Sequence, residues 1–254
     1  MKITRAVVPS LFTILNIFCG FQSLVHSASN EFSVASWFII LAAVFDVFDG
    51  LMARITRSSS DFGVELDSLS DVVSFGVAPS FLVYRSALSA QGGMGMLISA
   101  MPMIFGAMRL ARFNSQLVGY DKDYFKGLPI PASALMLSAY VLTFCRETSG
   151  FQPLESSLLT PIVVVVSFLM VSNMRYDTVP KFSRRGIKQH PLRFTLAVIG
   201  ATWIVVTRGD ALFPCLVFYL ATGPVRYIVQ FIRHAAHPVE KLPEENAEIT
   251  SVDV

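Results

Sequence analysis

Asp46, Asp49, Asp67 and Asp71 are the residues of this 254-residue chain with the clearest capacity for chemistry. They fall in FDVFDGLMARITRSSSDFGVELDSLSDVV, residues 45–73, inside segments that are otherwise strongly apolar. Carboxylates at membrane depth are costly and mark functional sites. Asp46, Asp49, Gly50 and Ala53 are spaced i, i+3, i+4, i+7, and Gly63, Asp67 and Asp71 are spaced i, i+4, i+8, so each set shares one helix face. Four carboxylates in a low-dielectric site do not all stay ionised without cations. Oxygen ligands with no His or Cys nearby suit hard ions such as Mg²⁺ or Mn²⁺, and two such ions about 4 Å apart suit phosphoryl chemistry. Gly50 and Ala53 remove bulk from the acidic face, while Arg54, Arg57 and the hydroxyls of RSSS lie at its rim, where phosphates would bind. Two other readings compete. Small residues also serve close helix packing, and intramembrane acids also form ion or proton paths in transporters. Packing leaves the acids unexplained, and a transport path leaves the Arg and Ser rim unexplained.

Positioning these faces requires helices. Of the residues, 53% are hydrophobic and only 15% charged, which excludes an ordinary soluble domain and points to an all-α polytopic membrane protein. Eight spans are predicted, at roughly 7–28, 33–54, 64–86, 93–112, 128–146, 157–174, 192–207 and 210–232. GGMG at 92–95 reads as a turn at a span end. The second span ends near Arg54 and the third starts near Gly63, so Asp46 and Asp71 each lie roughly 12 Å from the same membrane face. The expected active site therefore sits between helices 2 and 3. With eight spans, all of the 20 basic residues except Arg85, Arg146 and Arg208 collect on one side. That side is the cytoplasm by the positive-inside rule, so the site faces the cytoplasm and both termini are cytoplasmic. Residues 1–235 read as one transmembrane catalytic domain, and the polar, acid-rich 236–254 as a disordered tail. Cys19, Cys145 and Cys215 lack metal-ligand spacing and read as core residues. Nothing in the chain suggests a nucleic-acid partner.

The run Asp46-x2-Asp49-Gly50-x2-Ala53-Arg54-x8-Gly63-x3-Asp67-x3-Asp71 resembles, at every fixed position, the motif of the CDP-alcohol phosphotransferase family. The resemblance implies transfer of a substituted phosphate from a CDP-linked donor to an alcohol, with release of CMP. It implies that Asp46, Asp49, Asp67 and Asp71 hold two divalent ions, and that Asp71 also takes the acceptor's proton. Gly50, Ala53, Arg54, Ser60 and Gly63 would contact the donor, with Thr13 and Asn16 completing the nucleotide pocket. The family often has Thr where Ser60 stands. Three further stretches, VPSLFTILNIFCGF, RLARFN at 109–114 and KGLPIPASA at 126–134, resemble the integral-membrane branch that uses serine. Pro9-Ser10 departs there from the usual Pro-Asn. This branch implies CDP-diacylglycerol and L-serine as substrates, an inner-membrane location and, as relatives are often dimers, a homodimer. Glycerol 3-phosphate, inositol phosphate or choline are the alternative acceptors. Arg109 and Arg112, three apart on one helix face, are candidates for the acceptor's carboxylate or the lipid phosphate, with Asn114 and Lys126 weaker ones.

Overall fold

The computed structural model describes residues 7–56, 61–115, 124–146, 150–177, 207 and 211–236; for some of these, including Arg54, Asp61 and Lys126, only the backbone is described. The helices are α1 (Val7–Ala28), α2 (Phe32–Thr56), α3 (Asp61–Asp71), α4 (Ala78–Ser86), α5 (Gly92–Ser115), α6 (Ile130–Phe144), α7 (Pro153–Val171) and α8 (Leu212–Ala236). A π-helical segment, Val72–Val77, joins α3 to α4.

Among the described residues, six stretches are long and apolar enough to cross a membrane: Leu11–Ala28, Phe32–Ala53, Phe62–Ser86, Leu88–Ser115, Pro153–Val171 and Leu212–Val229. They match six of the eight predicted spans. The seventh predicted span, 192–207, lies outside the described residues. The fifth, 128–146, is helical only over the 15 residues of α6, or roughly 22 Å, against about 30 Å of hydrocarbon. Its start is cut back because Gly127 has φ +80° and Pro129 is extended, and because the Gly127 and Leu128 N–H groups donate to the Met174 and Leu169 carbonyls. α7 instead starts early, at Pro153, where Gln152 and Glu155 form a capping box. The turn expected at GGMG lies just before it: a 3-10 turn covers Leu88–Gln91, Gly92 takes φ +59°, and Gly93 and Gly95 are already helical.

The third span is not one regular helix. The widened turn at Val72–Val77 follows Asp71 directly and precedes Pro79. Proline lacks an N–H and crowds the carbonyl four residues back, and an i+5 turn relieves both conflicts.

The one β element among the described residues is a ribbon of β1 (Tyr124–Lys126) and β2 (Arg175–Asp177), paired antiparallel with Phe125 opposite Tyr176. It anchors α8. Tyr176 is wholly buried, and its hydroxyl donates to the Leu220 carbonyl at 3.3 Å. Its ring packs so close to Gly223 that a Cβ there would lie 2.3 Å from Cζ. Burial, then the neighbouring Tyr219, pushes the Tyr176 phenol up to about 12, so it remains a neutral donor.

The core centres on α6, whose Ile130, Ala134, Leu137 and Val141 are buried. Phe18, Phe21, Val47, Leu97, Phe168 and Phe218 are exposed on the outer faces. A rim this apolar is what a bundle surrounded by lipid requires. At one end, Arg85 Nη2 donates to the Ala28 carbonyl at 3.3 Å and to Asn30 Oδ1 at 2.9 Å, tying α4 to the α1–α2 turn. Asn30 has φ 63°, a conformation asparagine tolerates well.

Candidate active site

α1 is the platform of the site. It packs along α2, α3, the π segment and α4, whereas α2 and α3 share few close backbone approaches. Ser70 Oγ donates to the Thr13 carbonyl at 3.3 Å, and Ser74 Oγ donates to the Asn16 carbonyl at 2.9 Å. Gly20, one turn further on, lets the two segments touch: a Cβ there would lie 2.9 Å from Ser74 Cα. Ser70, Ser74 and Gly20 are residues the sequence reading missed. Their signal was present, since Ser70 and Ser74 each follow an aspartate by three residues within an apolar span.

Across the gap that α1 holds open, α2 and α3 present their acids. One carboxylate oxygen from each of Asp46, Asp67 and Asp71 falls within 4.8 Å of the others. The fourth acid is engaged differently: Asp49, 7% exposed, accepts a hydrogen bond from the buried Thr13 hydroxyl. Its charge still acts on Asp46 and Asp67. So the structure brings three of the four predicted ligands to one point and sets Asp49 beside them. Gly50, Ala53 and Gly63 are part-buried on the same two helices. Ser60, Arg57 and the side chain of Arg54 lie outside the described residues. Glu65 is exposed.

Arg109 of α5, only 6% exposed, is a countercharge to Asp71. Arg112 Nη1 donates to the Val171 carbonyl at 3.0 Å, which ties α5 to the end of α7. Asn114 Nδ2 donates to Ser68 Oγ at 2.9 Å, bracing α3. The two arginines named together from the sequence remain electrostatic neighbours, Arg109 buried beside Asp71 and Arg112 also holding α7. Asn16 parts from Thr13. It is wholly buried with its amide facing Asp71, and its Oδ1 has no hydrogen-bond partner.

The donor set fits a divalent cation. All three clustered atoms are carboxylate oxygens, the ligands hard ions prefer. Three carboxylate oxygens within 4.8 Å of one another are near enough to converge on one ion by side-chain rotation. Among the described residues, three carboxyls share this point with one buried arginine, so their full ionisation would call for a cation.

Residues 6–172 match the sequence model of the family described as CDP-alcohol phosphatidyltransferase. The chain is 37% identical over 225 residues to a Helicobacter pylori strain J99 protein named CDP-diacylglycerol–serine O-phosphatidyltransferase, covering 89% of this chain and 92% of that one. It is 36% identical to a protein of the same name from Methanocaldococcus jannaschii, covering 85% and 92% of the two chains. It is 38% identical over 181 residues to the archaetidylserine synthase of Methanothermobacter thermautotrophicus, covering 70% of this chain and 73% of that one. With its motif acids drawn together on α2 and α3, and with two thirds of its length matched, this chain belongs to the CDP-alcohol phosphatidyltransferase family.

Proposed function

We propose that this protein transfers the phosphatidyl group of CDP-diacylglycerol to the hydroxyl of L-serine, yielding phosphatidylserine and CMP. The observation that carries the chemistry is the convergence of Asp46, Asp67 and Asp71 within a membrane-spanning bundle. The choice of serine is supported by the names of the relatives that align over most of the chain. An ion-coupled transporter and the other acceptors are not favoured by these relatives.

In this reading Asp46, Asp49, Asp67 and Asp71 hold two divalent cations, Mg²⁺ or Mn²⁺. When bound, such ions neutralise the donor's pyrophosphate and the departing phosphate charge of CMP. Thr13 fixes the Asp49 carboxylate, and Gly50, Ala53 and Gly63 leave room for the donor, with Arg54 and Ser60 at its phosphates. Asp71 takes the proton of the serine hydroxyl. The freed oxygen attacks the phosphatidyl phosphorus, and the bond from that phosphorus to the CMP oxygen breaks, its electron pair leaving with CMP. Arg109 binds the serine carboxylate, and Arg112, on the same helix face, is placed for the acceptor or the lipid phosphate. The charge asymmetry of the sequence supports a site open to the cytoplasm, with both termini on that side of an inner membrane. The family resemblance further implies a homodimer, which crosslinking in detergent would test.

The deciding assay uses purified protein, CDP-diacylglycerol and labelled serine. CMP and labelled lipid are expected with Mn²⁺ or Mg²⁺, no product with a chelator, and recovery when the ion is restored. CMP release with glycerol 3-phosphate but not serine would overturn the acceptor. No CMP release with any alcohol would overturn the enzyme.

A further inference from the structure

Asp71 is where three helices meet. It projects from α3; Asn16 reaches it from α1 and Arg109 from α5. Asn16 has no exposed surface; its amide faces the Asp71 carboxyl, and its Oδ1 is buried without a hydrogen-bond partner. An asparagine amide offers donors on one side and an acceptor on the other. Burying the acceptor unmade is unfavourable enough that native structures rarely leave such a group without a purpose. Asp71 can accept from Nδ2, but a carboxylate has no hydrogen to give to Oδ1, so the amide oxygen stays without a partner. Thr13, one turn away, is already committed to Asp49. Thus α1 divides its polar groups: Thr13 serves the acid on α2, and Asn16 faces the acid on α3.

We infer that Asn16 binds the ammonium group of the acceptor through Oδ1, making with Asp71 and Arg109 a three-point site for L-serine. This rests on the serine reading above and deepens it. Serine carries three polar groups on one short frame. Its carboxylate suits the buried guanidinium of Arg109, and its hydroxyl suits Asp71. The ammonium then needs an acceptor that competes with neither, and a neutral amide oxygen meets that need, while Nδ2 faces the Asp71 carboxyl. Family resemblance alone groups Asn16 with Thr13 in the nucleotide pocket; the buried amide beside Asp71 moves it to the acceptor side.

The test compares L-serine with 3-hydroxypropanoate, which keeps the hydroxyl and carboxylate but lacks the amine. Sites that hydrogen-bond a substrate group reject analogues without it by large factors. The parent protein is expected to favour L-serine by at least about 100-fold in kcat/KM. In Asn16→Ala that preference is expected to collapse to roughly tenfold or less, through a raised KM for serine, with the KM for CDP-diacylglycerol within about twofold. Equal loss with both acceptors would make Asn16 merely structural and overturn the inference, as would a raised KM for CDP-diacylglycerol with the preference intact. The parent protein alone also decides: if it uses 3-hydroxypropanoate as well as L-serine, the amine is not read and the inference fails while the serine reading stands. If the parent uses neither serine nor its analogue, the serine reading itself fails.

Discussion

Gly20→Ala tests whether α1 is the platform of the site. An added Cβ would lie 2.5 Å from Ser74 Oγ, 2.9 Å from Ser74 Cα and 3.1 Å from Ser74 Cβ. Rotating the serine hydroxyl away relieves only the first contact, and sacrifices its bond to the Asn16 carbonyl. The Cα belongs to the backbone of the π segment and cannot rotate. Non-bonded carbons rest about 3.5–4.0 Å apart, so α1 and the π segment must separate by roughly 0.6–1.1 Å. The bond from Ser70 to the Thr13 carbonyl, already 3.3 Å long, would not survive that shift. Two weakened hydrogen bonds at about 0.5–1.5 kcal/mol each, plus overpacking strain of about 1–3 kcal/mol, give a loss of roughly 2–6 kcal/mol before relaxation. The larger effect is on geometry, because Thr13 and Asn16 move together relative to Asp71, and a displacement near 1 Å lowers turnover by about 100-fold.

The assay is CMP release by purified Gly20→Ala, together with its melting temperature. Gly93→Ala is the control, because nothing lies within 4 Å of a Cβ there. Ser74→Gly in the Gly20→Ala background removes the Oγ and Cβ contacts and leaves the one at Cα, so it should restore activity only in part. Turnover by Gly20→Ala within about twofold of the parent would refute the platform role, since an intact rate means the 1 Å shift did not occur or did not matter.

Other perturbations separate the acids by task. Asp71→Asn should abolish CMP release while leaving CDP-diacylglycerol binding largely intact, because Asp46, Asp49 and Asp67 remain; near-normal turnover would show that the proton goes elsewhere. Thr13→Val removes the donor to Asp49, a charge-assisted bond worth about 1.5–3 kcal/mol, so half-saturation by Mn²⁺ or by CDP-diacylglycerol should rise roughly 10- to 100-fold with little change in the KM for serine. Arg54→Ala should weaken donor binding more than serine binding, and the reverse pattern in steady-state kinetics would place Arg54 with the acceptor. Gly223→Ala should lower the melting temperature, because its Cβ would meet the Tyr176 ring at 2.3 Å; adding Tyr176→Leu should recover much of the loss.

The acids were legible because charge contrasts sharply with an apolar background, and the spans because hydropathy over about 20 residues is a strong signal. The π segment was not legible. VVSFGV carries no polar face to betray its period, and only the nearby Pro79 hints at a widened turn. The β ribbon was missed because three-residue strands leave no alternation to read, and its anchor, Tyr176 against Gly223, joins residues far apart in sequence.

The hardest feature to foresee is also the one on which the site depends. A hairpin of α2 and α3 accounts for facing acids, but these two helices barely approach each other along their backbones. What holds Asp46 near Asp67 and Asp71 is the common neighbour α1, through Ser70 and Ser74 on one side and Thr13 to Asp49 on the other. Helical spacing within one segment cannot reveal such a third party, because it says which residues share a face and not what that face meets. It follows that the motif acids alone do not make the site. The same acids on α2 and α3 without the polar face of α1 would lack both the wedge that sets their separation and the buried amide beside Asp71.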